Sequence, residues 1–359
     1  MGRLKYLAGL AAALVLFSGM RAGAAEPALS AKSAALLSGA TGAVLWEHQG
    51  RDPLPMASTT KIMTALLTLE AAEDLGDPVV TITQEMTQAE GSSMGLLPGD
   101  QISLSGLAAG MLLSSGNDAA NAAALFLDGS LEAFAQRMNR RAQDLGLTGT
   151  HFVTPSGLDG EGHCSTAVDL GLLAREALQL PAFLELCSSR TWEAAWAEPE
   201  KTVTLENHNR LLESYDGCLG VKTGYTQKAG RCLVSAARRE GVLLIAVTLD
   251  APDDWEDHKT LLDYGFSQVE RYRLRGERWE TALPVAGGER EQVNVAGELG
   301  EVFALAPGDR DSLELQAALP RFLYAPVEAG ETVGELRALL DGAVVSSVPL
   351  QAAEDCPSP

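Results

Sequence analysis

Ser58-Thr59-Thr60-Lys61 opens the first strong helix, and the rest of the chain is read outward from it. From Thr59 to Ala72 the apolar residues Ile62, Met63, Leu66 and Leu69 recur at helical spacing. Residues three apart share a helical face, so Oγ of Ser58 and Nζ of Lys61 can meet. A serine at a helix start commonly serves as an N-cap. A capping box, however, would put Glu or Gln at position 61. A lysine stands there instead, in a first turn whose macrodipole disfavours a cation by about 0.3–1 kcal/mol. The same field favours the neutral amine, which can then act as a base toward Ser58. A plain cap and a nucleophile–base pair both remain open at this point.

On the N-terminal side, residues 30 to 48 alternate and end in Val44-Leu45-Trp46, the pattern of a hairpin. On the C-terminal side, a small-residue helical block runs from Leu104 to Leu127, broken at Ser115-Gly116-Asn117. Residues 166 to 187 read as another helical stretch. Two β-rich runs, Arg231 to Ala237 and Val242 to Leu249, are joined by Arg238-Arg239-Glu240-Gly241 as a hairpin would be, and a helical stretch follows from Asp257 to Phe266. Strands first, helices in the middle and strands last predict an α/β (α+β) domain, an antiparallel sheet covered by helices. After about residue 275 short alternating runs such as Gln292 to Val295 and Val344 to Leu350 are separated by Gly, Pro and Asp, which predicts a small β-sandwich. The expected organisation is a signal peptide over 1–24, a catalytic domain over 25–272, a β-rich domain over 275–350 and a frayed tail over 351–359.

A chain of 359 residues is too long for one compact core, in keeping with two domains. Its 27 basic and 48 acidic residues give a formal charge of -21. No basic stripe is available to meet phosphates, which excludes a nucleic-acid binder of the usual kind and argues against charge-driven binding to an anionic membrane. Arg3 and Lys5 precede an apolar run from Tyr6 to Phe17, and Ala22-Gly23-Ala24 follows. This is the form of a cleaved secretory signal peptide, so the protein is expected to be exported. The run is shorter than the ~20 residues of a membrane-spanning helix. The five cysteines, Cys164, Cys187, Cys218, Cys232 and Cys356, are odd in number and form no disulfide framework. Neither they nor the histidines show zinc-ligand spacing, and the sequences of metalloprotease, lipase and phosphate-loop sites are absent. No metal and no cofactor is expected.

Two further motifs stand out. Ser115-Gly116-Asn117 interrupts the helical block, where Gly116 permits a turn that could aim a hydroxyl and an amide into a cleft. A plain helix–helix connector, with Asp118 and Asn121 as capping and packing groups, fits as well. Lys222-Thr223-Gly224 precedes Tyr225. A strand carrying Lys and Thr outward, with Gly where a ligand backbone must approach, suits a carboxylate-bearing substrate. A solvent-facing edge strand with a charged guard is the bland alternative. Lysine is scarce, at seven of the 27 basic residues, and unlike Arg it can lose its proton when buried. S-x-x-K, S-x-N and K-T-G each occur once, in that order, and the joint occurrence outweighs the separate bland readings. Such a set is found in β-lactamases and penicillin-binding proteins.

The chain resembles the low-molecular-mass penicillin-binding proteins, the D-alanyl-D-alanine carboxypeptidases. The likeness extends through Pro55 to Thr64, through Gly91-Ser92-Ser93 and Leu97-Pro98-Gly99, and through Thr150 to Ala167 and Gly220 to Gly230. The resemblance implies a β-lactamase/transpeptidase-like fold and an acyl-enzyme mechanism on peptidoglycan stem peptides, with β-lactams as covalent inhibitors. In it Ser58 is the nucleophile, Lys61 the general base and Ser115 the proton relay to the departing D-Ala. Asn117 holds the substrate amide, Lys222 and Thr223 bind its terminal carboxylate and help keep Lys61 neutral, and Gly224 and Tyr225 complete the substrate-binding strand. The N–H groups of Ser58 and Tyr225 form the implied oxyanion hole. Two departures stand out. Some relatives carry an arginine after the last core strand where this chain has Asp250-Ala251-Pro252-Asp253-Asp254, and no clear membrane-anchoring helix follows the β-rich domain. A β-lactamase needs the same Ser58 and Lys61 plus a carboxylate that activates water, for which no convincing loop is found. A non-catalytic cell-wall or penicillin-binding protein is the third reading.

Overall fold

The structure is a computed structural model and describes residues 26–273, 278–298 and 302–359. The expected signal peptide lies outside the described residues. The described chain divides into two compact units, one ending at Gln268 and the other beginning at Val269.

The first unit begins with the expected hairpin, β1 (Ser33–Ser38) and β2 (Val44–His48). A 3₁₀ turn over Ala57–Thr60 leads into α1 (Lys61–Leu75). Short strands β3 (Val79–Thr81) and β4 (Gln101–Ser103) follow. The expected helical block is α2 (Leu104–Leu112) and α3 (Asn117–Asp128), interrupted where the sequence suggests, and α4 (Leu131–Asp144) comes next. The stretch read as one helix over 166–187 is two, α5 (Ala167–Ala177) and α6 (Pro181–Ser188), because Pro181 cannot sit inside a helix but suits its first position. A hairpin of β5 (Thr191–Glu198) and β6 (Lys201–Glu206) joins β3 and β4 in a four-stranded sheet that the sequence reading did not anticipate. After the short α7 (Leu211–Ser214) come β7 (Cys218–Thr226), β8 (Gly230–Arg239) and β9 (Val242–Leu249), then α8 (Asp254–Ser267). Glu240 and Gly241, both with positive φ, make the tight turn between β8 and β9.

The main sheet is antiparallel with order β2–β1–β9–β8–β7, so β7 is an edge. Its centre is buried on both faces. Leu36 and Leu37 are neighbours on β1 and so point to opposite sides. A Cβ on Gly171 of α5 would press on Leu37, and one on Gly265 of α8 would press on Leu36. Helices α5 and α8 therefore cover opposite faces, and the glycines let them approach. This is why every residue of β1 is buried and why it shows no polar alternation. His258 of α8 fixes its side of the sandwich between Ser235 Oγ (2.5 Å) and Thr248 Oγ1 (3.0 Å). Helix α1 packs on α2, α3 and α5 in the same continuous core.

The second unit is β-rich. Strands β10 (Glu270–Arg273) and β13 (Val302–Leu305) pair with each other. Strands β11 (Arg278–Ala286), β12 (Gln292–Glu298), β14 (Leu313–Ala318), β15 (Leu323–Tyr324), β16 (Thr332–Leu340) and β17 (Ala343–Ala352) form a six-stranded sheet of order β14–β16–β17–β12–β11–β15. Alternate residues such as Val293 and Val295, or Val348 and Leu350, supply its core. The tail expected to fray from Gln351 does not do so over its first six residues. Gln351 and Ala352 continue β17, and Cys356 is buried, exchanging two 2.9 Å backbone hydrogen bonds with Val327. Small apolar side chains on Ala352 and Cys356 give this segment core contacts that its polar composition masks.

Candidate active site

The nucleophile candidate is held by an unusual turn. Ala57 has φ +49°, and the next three residues close the 3₁₀ turn that becomes α1. Ser58 does not cap the helix: neither the 3₁₀ turn nor α1 has a side-chain cap. Its Oγ instead lies 3.0 Å from Lys61 Nζ. The half-buried hydroxyl faces a fully buried amine.

Lys61 Nζ has two other partners, Asn117 Oδ1 and the carbonyl of Ser156, each at 2.6 Å. Both can only accept. A neutral amine has two N–H donors and one lone pair, so these two oxygens consume both donors and leave the lone pair for the Ser58 hydroxyl. Lys61 is pushed well below its ordinary value, first by burial and second by the charge of Lys222, with Asp118 opposing. Burial and the charge of Lys222 favour the neutral amine, and in that form, with both N–H donors on Asn117 and Ser156, its lone pair would face Ser58 Oγ.

The second motif comes from the α2–α3 break. Here Ser115, not Gly116, takes the left-handed backbone, with φ +58° against −58° for the glycine. Gly116 is required for space, since a Cβ there would lie 2.8 Å from Asp118 Oδ1 and 3.1 Å from Met94 N. Ser115 is largely buried, and its Oγ makes no hydrogen bond to any described residue, which leaves it available to a ligand. Asn117 Nδ2 donates to Glu90 O at 2.5 Å, and its N–H donates to Ser92 O at 2.8 Å. Asp118 is more than the capping group suggested by sequence. Its carboxylate accepts from Ser93 Oγ and from the N–H groups of Met94, Gly95 and Leu96, and so stitches that loop to the motif.

The third motif lies on the edge strand β7, but Lys222 is not a solvent-facing guard: it is 1% exposed. Its Nζ donates to Thr223 O at 2.9 Å, and burial pushes it down to about 7. Gly224 meets the nucleophile turn itself, since a Cβ there would lie 3.0 Å from Ser58 N and 3.1 Å from Thr59 N. The backbone of β7 therefore runs against the Ser58 amide, and Tyr225 beyond it is 67% exposed at the lip. Thr223 is half-buried.

The structure thus gathers Ser58, Lys61 and Asn117 by direct hydrogen bonds, with Gly224 packed against the Ser58 amide and Lys222 close enough to lower Lys61. Sequence reasoning missed the Ser156 carbonyl and the group around Ala57. A Cβ on Gly157 would lie 2.1 Å from Ala57 O, and Gly157 has φ +84°, so only glycine fits beside that carbonyl. Thr60 Oγ1 donates to the same oxygen at 2.8 Å and pairs with His163 Nε2 at 2.8 Å. The available signal was a run of Gly and polar residues from 154 to 163 that no hydrophobic period explains. Among the described residues no group of His, Cys, Asp and Glu is arranged to hold a metal ion, and no helix is long and apolar enough to cross a membrane.

Comparison with known proteins agrees with this geometry. Residues 20–253 match the family described as D-alanyl-D-alanine carboxypeptidase, and residues 275–358 match the C-terminal domain of penicillin-binding protein 5. The chain is 34% identical over 340 residues to D-alanyl-D-alanine carboxypeptidase DacF of Bacillus subtilis, covering 92% of this chain and 87% of that one. It is 33% identical over 341 residues to DacC of Escherichia coli, covering 90% and 84%. Among solved structures, penicillin-binding protein 5 of Haemophilus influenzae superposes with a TM-score of 0.65 at 26% identity, covering 94% of this chain and all of that one.

Proposed function

Because the chain belongs to the D-alanyl-D-alanine carboxypeptidase family, we propose that it removes the terminal D-alanine from peptidoglycan stem peptides through an acyl-enzyme on Ser58. The observation that carries this reading is the buried Lys61 amine 3.0 Å from Ser58 Oγ, held by Asn117 Oδ1 and Ser156 O and pushed well below its ordinary value by burial and then by the charge of Lys222.

Lys61 Nζ takes the hydroxyl proton as Ser58 Oγ attacks the carbonyl carbon of the penultimate D-Ala. The N–H groups of Ser58 and Tyr225 receive the developing oxyanion, a form of stabilisation typically worth about 10²–10³ in rate per donor. Collapse breaks the peptide C–N bond, and the leaving amine takes the proton from Lys61 by way of Ser115 Oγ. D-Alanine departs. Water then attacks the ester, and Ser58 is regenerated with the shortened stem as product. Asn117 positions the substrate amide, while Lys222 and Thr223 bind the terminal carboxylate, whose negative charge stabilises protonated Lys222 on binding. Penicillins enter the same path up to the acyl-enzyme and stay there.

Export by a cleaved signal peptide over residues 1–24 would bring the enzyme to this substrate. A catalytic domain over 25–272 followed by a β-rich domain over 275–350 is the division of labour we adopt. The test is release of D-alanine from a synthetic pentapeptide by the purified protein. The expected result is repeated D-alanine release that one equivalent of benzylpenicillin stops. Repeated hydrolysis of benzylpenicillin at a rate matching or exceeding peptide turnover would instead make the protein a β-lactamase.

A further inference from the structure

A chain of hydrogen bonds ends on the peptide group that carries the oxyanion donor. The N–H of Val153 donates to His163 Nδ1 at 3.0 Å. A backbone N–H can only donate, so Nδ1 is unprotonated and the ring proton sits on Nε2. His163 Nε2 therefore donates to Thr60 Oγ1 at 2.8 Å. The threonine proton then goes to Ala57 O at 2.8 Å. A pure donor at one end and a pure acceptor at the other fix the direction of every bond. His163 is 5% exposed and Thr60 fully buried, so water does not compete. Burial also pushes the His163 ring down to about 4, which keeps it neutral in ordinary buffers.

Ala57 C=O and Ser58 N–H belong to one planar trans peptide and point in opposite directions. Whatever holds the carbonyl oxygen therefore aims the N–H. Gly157 closes in on that oxygen from another side. Ala57 itself is a non-glycine residue at φ +49°, a conformation that costs of order 1 kcal/mol or more and persists only where its surroundings impose it.

We propose that His163 is a positioning residue: through Thr60 and the Ala57 carbonyl it holds the 57–58 peptide plane and so aims the Ser58 N–H at the oxyanion. A hydrogen bond accepted by the carbonyl also polarises the amide and strengthens the N–H as a donor. The role rests on the reading of Ser58 as nucleophile. It requires no contact between His163 and the substrate. It is distinct from the machinery around Lys61, which meets the Ser58 side chain instead of its backbone.

The test separates binding from acylation with a fluorescent penicillin, by measuring the dissociation constant of the non-covalent complex and the first-order acylation rate. Loss of one oxyanion donor costs about 10²–10³, so loosening it in His163→Phe is expected to slow acylation by about tenfold or more. The dissociation constant, set by Lys222 and Thr223, is expected to stay within about twofold, since neither side chain is hydrogen-bonded to the relay. His163→Gln is expected to recover most of the rate, because Gln accepts with Oε1 and donates with Nε2. Thr60→Val should match His163→Phe, Thr60→Ser should not, and His163→Phe combined with Thr60→Val should be no slower than Thr60→Val alone. Unchanged acylation in His163→Phe, a Gln variant no faster than Phe, or a loss confined to the dissociation constant would overturn the proposal. If His163→Phe does not fold, the Thr60→Val and Thr60→Ser pair decides the matter alone. Acylation of Ser58→Ala by the same penicillin would sink the parent reading, whereas full-rate acylation of His163→Phe sinks only the relay.

Discussion

Replacing Lys61 with methionine should slow acylation by penicillin by about 10²–10⁴, the contribution of a positioned general base. Methionine has nearly the same length and apolar stem but cannot take a proton. The wild-type amine lies 3.0 Å from Ser58 Oγ and is held there by its hydrogen bonds to Asn117 Oδ1 and Ser156 O. Arginine at 61 should be as slow, because a guanidinium stays charged. The stability of Lys61→Met reflects two opposed effects. Asn117 Oδ1 and Ser156 O lose a partner, at about 1–3 kcal/mol for each buried group left unpaired. Against this, a group whose charged form burial disfavours is gone. Acylation is therefore to be compared at equal folded fraction, checked by circular dichroism. A Lys61→Met protein acylated within a few-fold of wild type would mean that some other group takes the Ser58 proton.

Lys222→Met should have a large effect in two opposite directions. It should weaken the enzyme and strengthen the fold. Burial moves this lysine from 10.5 to about 7. At about 1.4 kcal/mol per unit, a shift of this size corresponds to a few kcal/mol of folding free energy. In the unfolded chain the amine binds its proton up to about pH 10.4. The cost of burial is thus fully present below pH 7 and fades as pH rises toward 10.4, so wild-type stability should climb across that interval. Lys222→Met should be the more stable protein at pH 6, and its advantage should shrink by pH 10, as read from denaturant midpoints. Acylation should fall by about 10–100-fold, the range of a lost charge-assisted hydrogen bond to the substrate carboxylate. The Lys222 charge also helps to lower Lys61, so its removal raises Lys61 and moves the acidic limb of the acylation profile to higher pH. A variant less stable than wild type at pH 6, or an acidic limb displaced to lower pH, would contradict this account of the two lysines.

What the sequence revealed and what it hid follow a physical divide. S-x-x-K, S-x-N and K-T-G were legible because each is a short contiguous run, and in the first the two side chains also meet across one turn. The hairpins β1–β2 and β8–β9 were legible because their turns and apolar runs are local too. What depended on distant parts of the chain was not. Gly116 was read as a turn former, yet it is needed because Asp118 and Met94 crowd it. Lys222 looked like a candidate for solvent because β7 is an edge strand, yet the packing of the nucleophile turn against that strand buries it. Strands β3 and β4, of three residues each, are too short to announce a sheet. The link from His163 to Thr60 spans 103 positions and leaves no mark in either neighbourhood.

The central claim is that one hydroxyl, at Ser58, becomes covalently acylated because Lys61 is neutral beside it. Mass spectrometry of the intact protein after incubation with penicillin, followed by peptide mapping of the adduct, tests it most directly. The expected result is one penicilloyl group per chain, on the peptide containing Ser58. An adduct on another residue, or an unmodified protein after exposure to excess drug at pH 8, would contradict it.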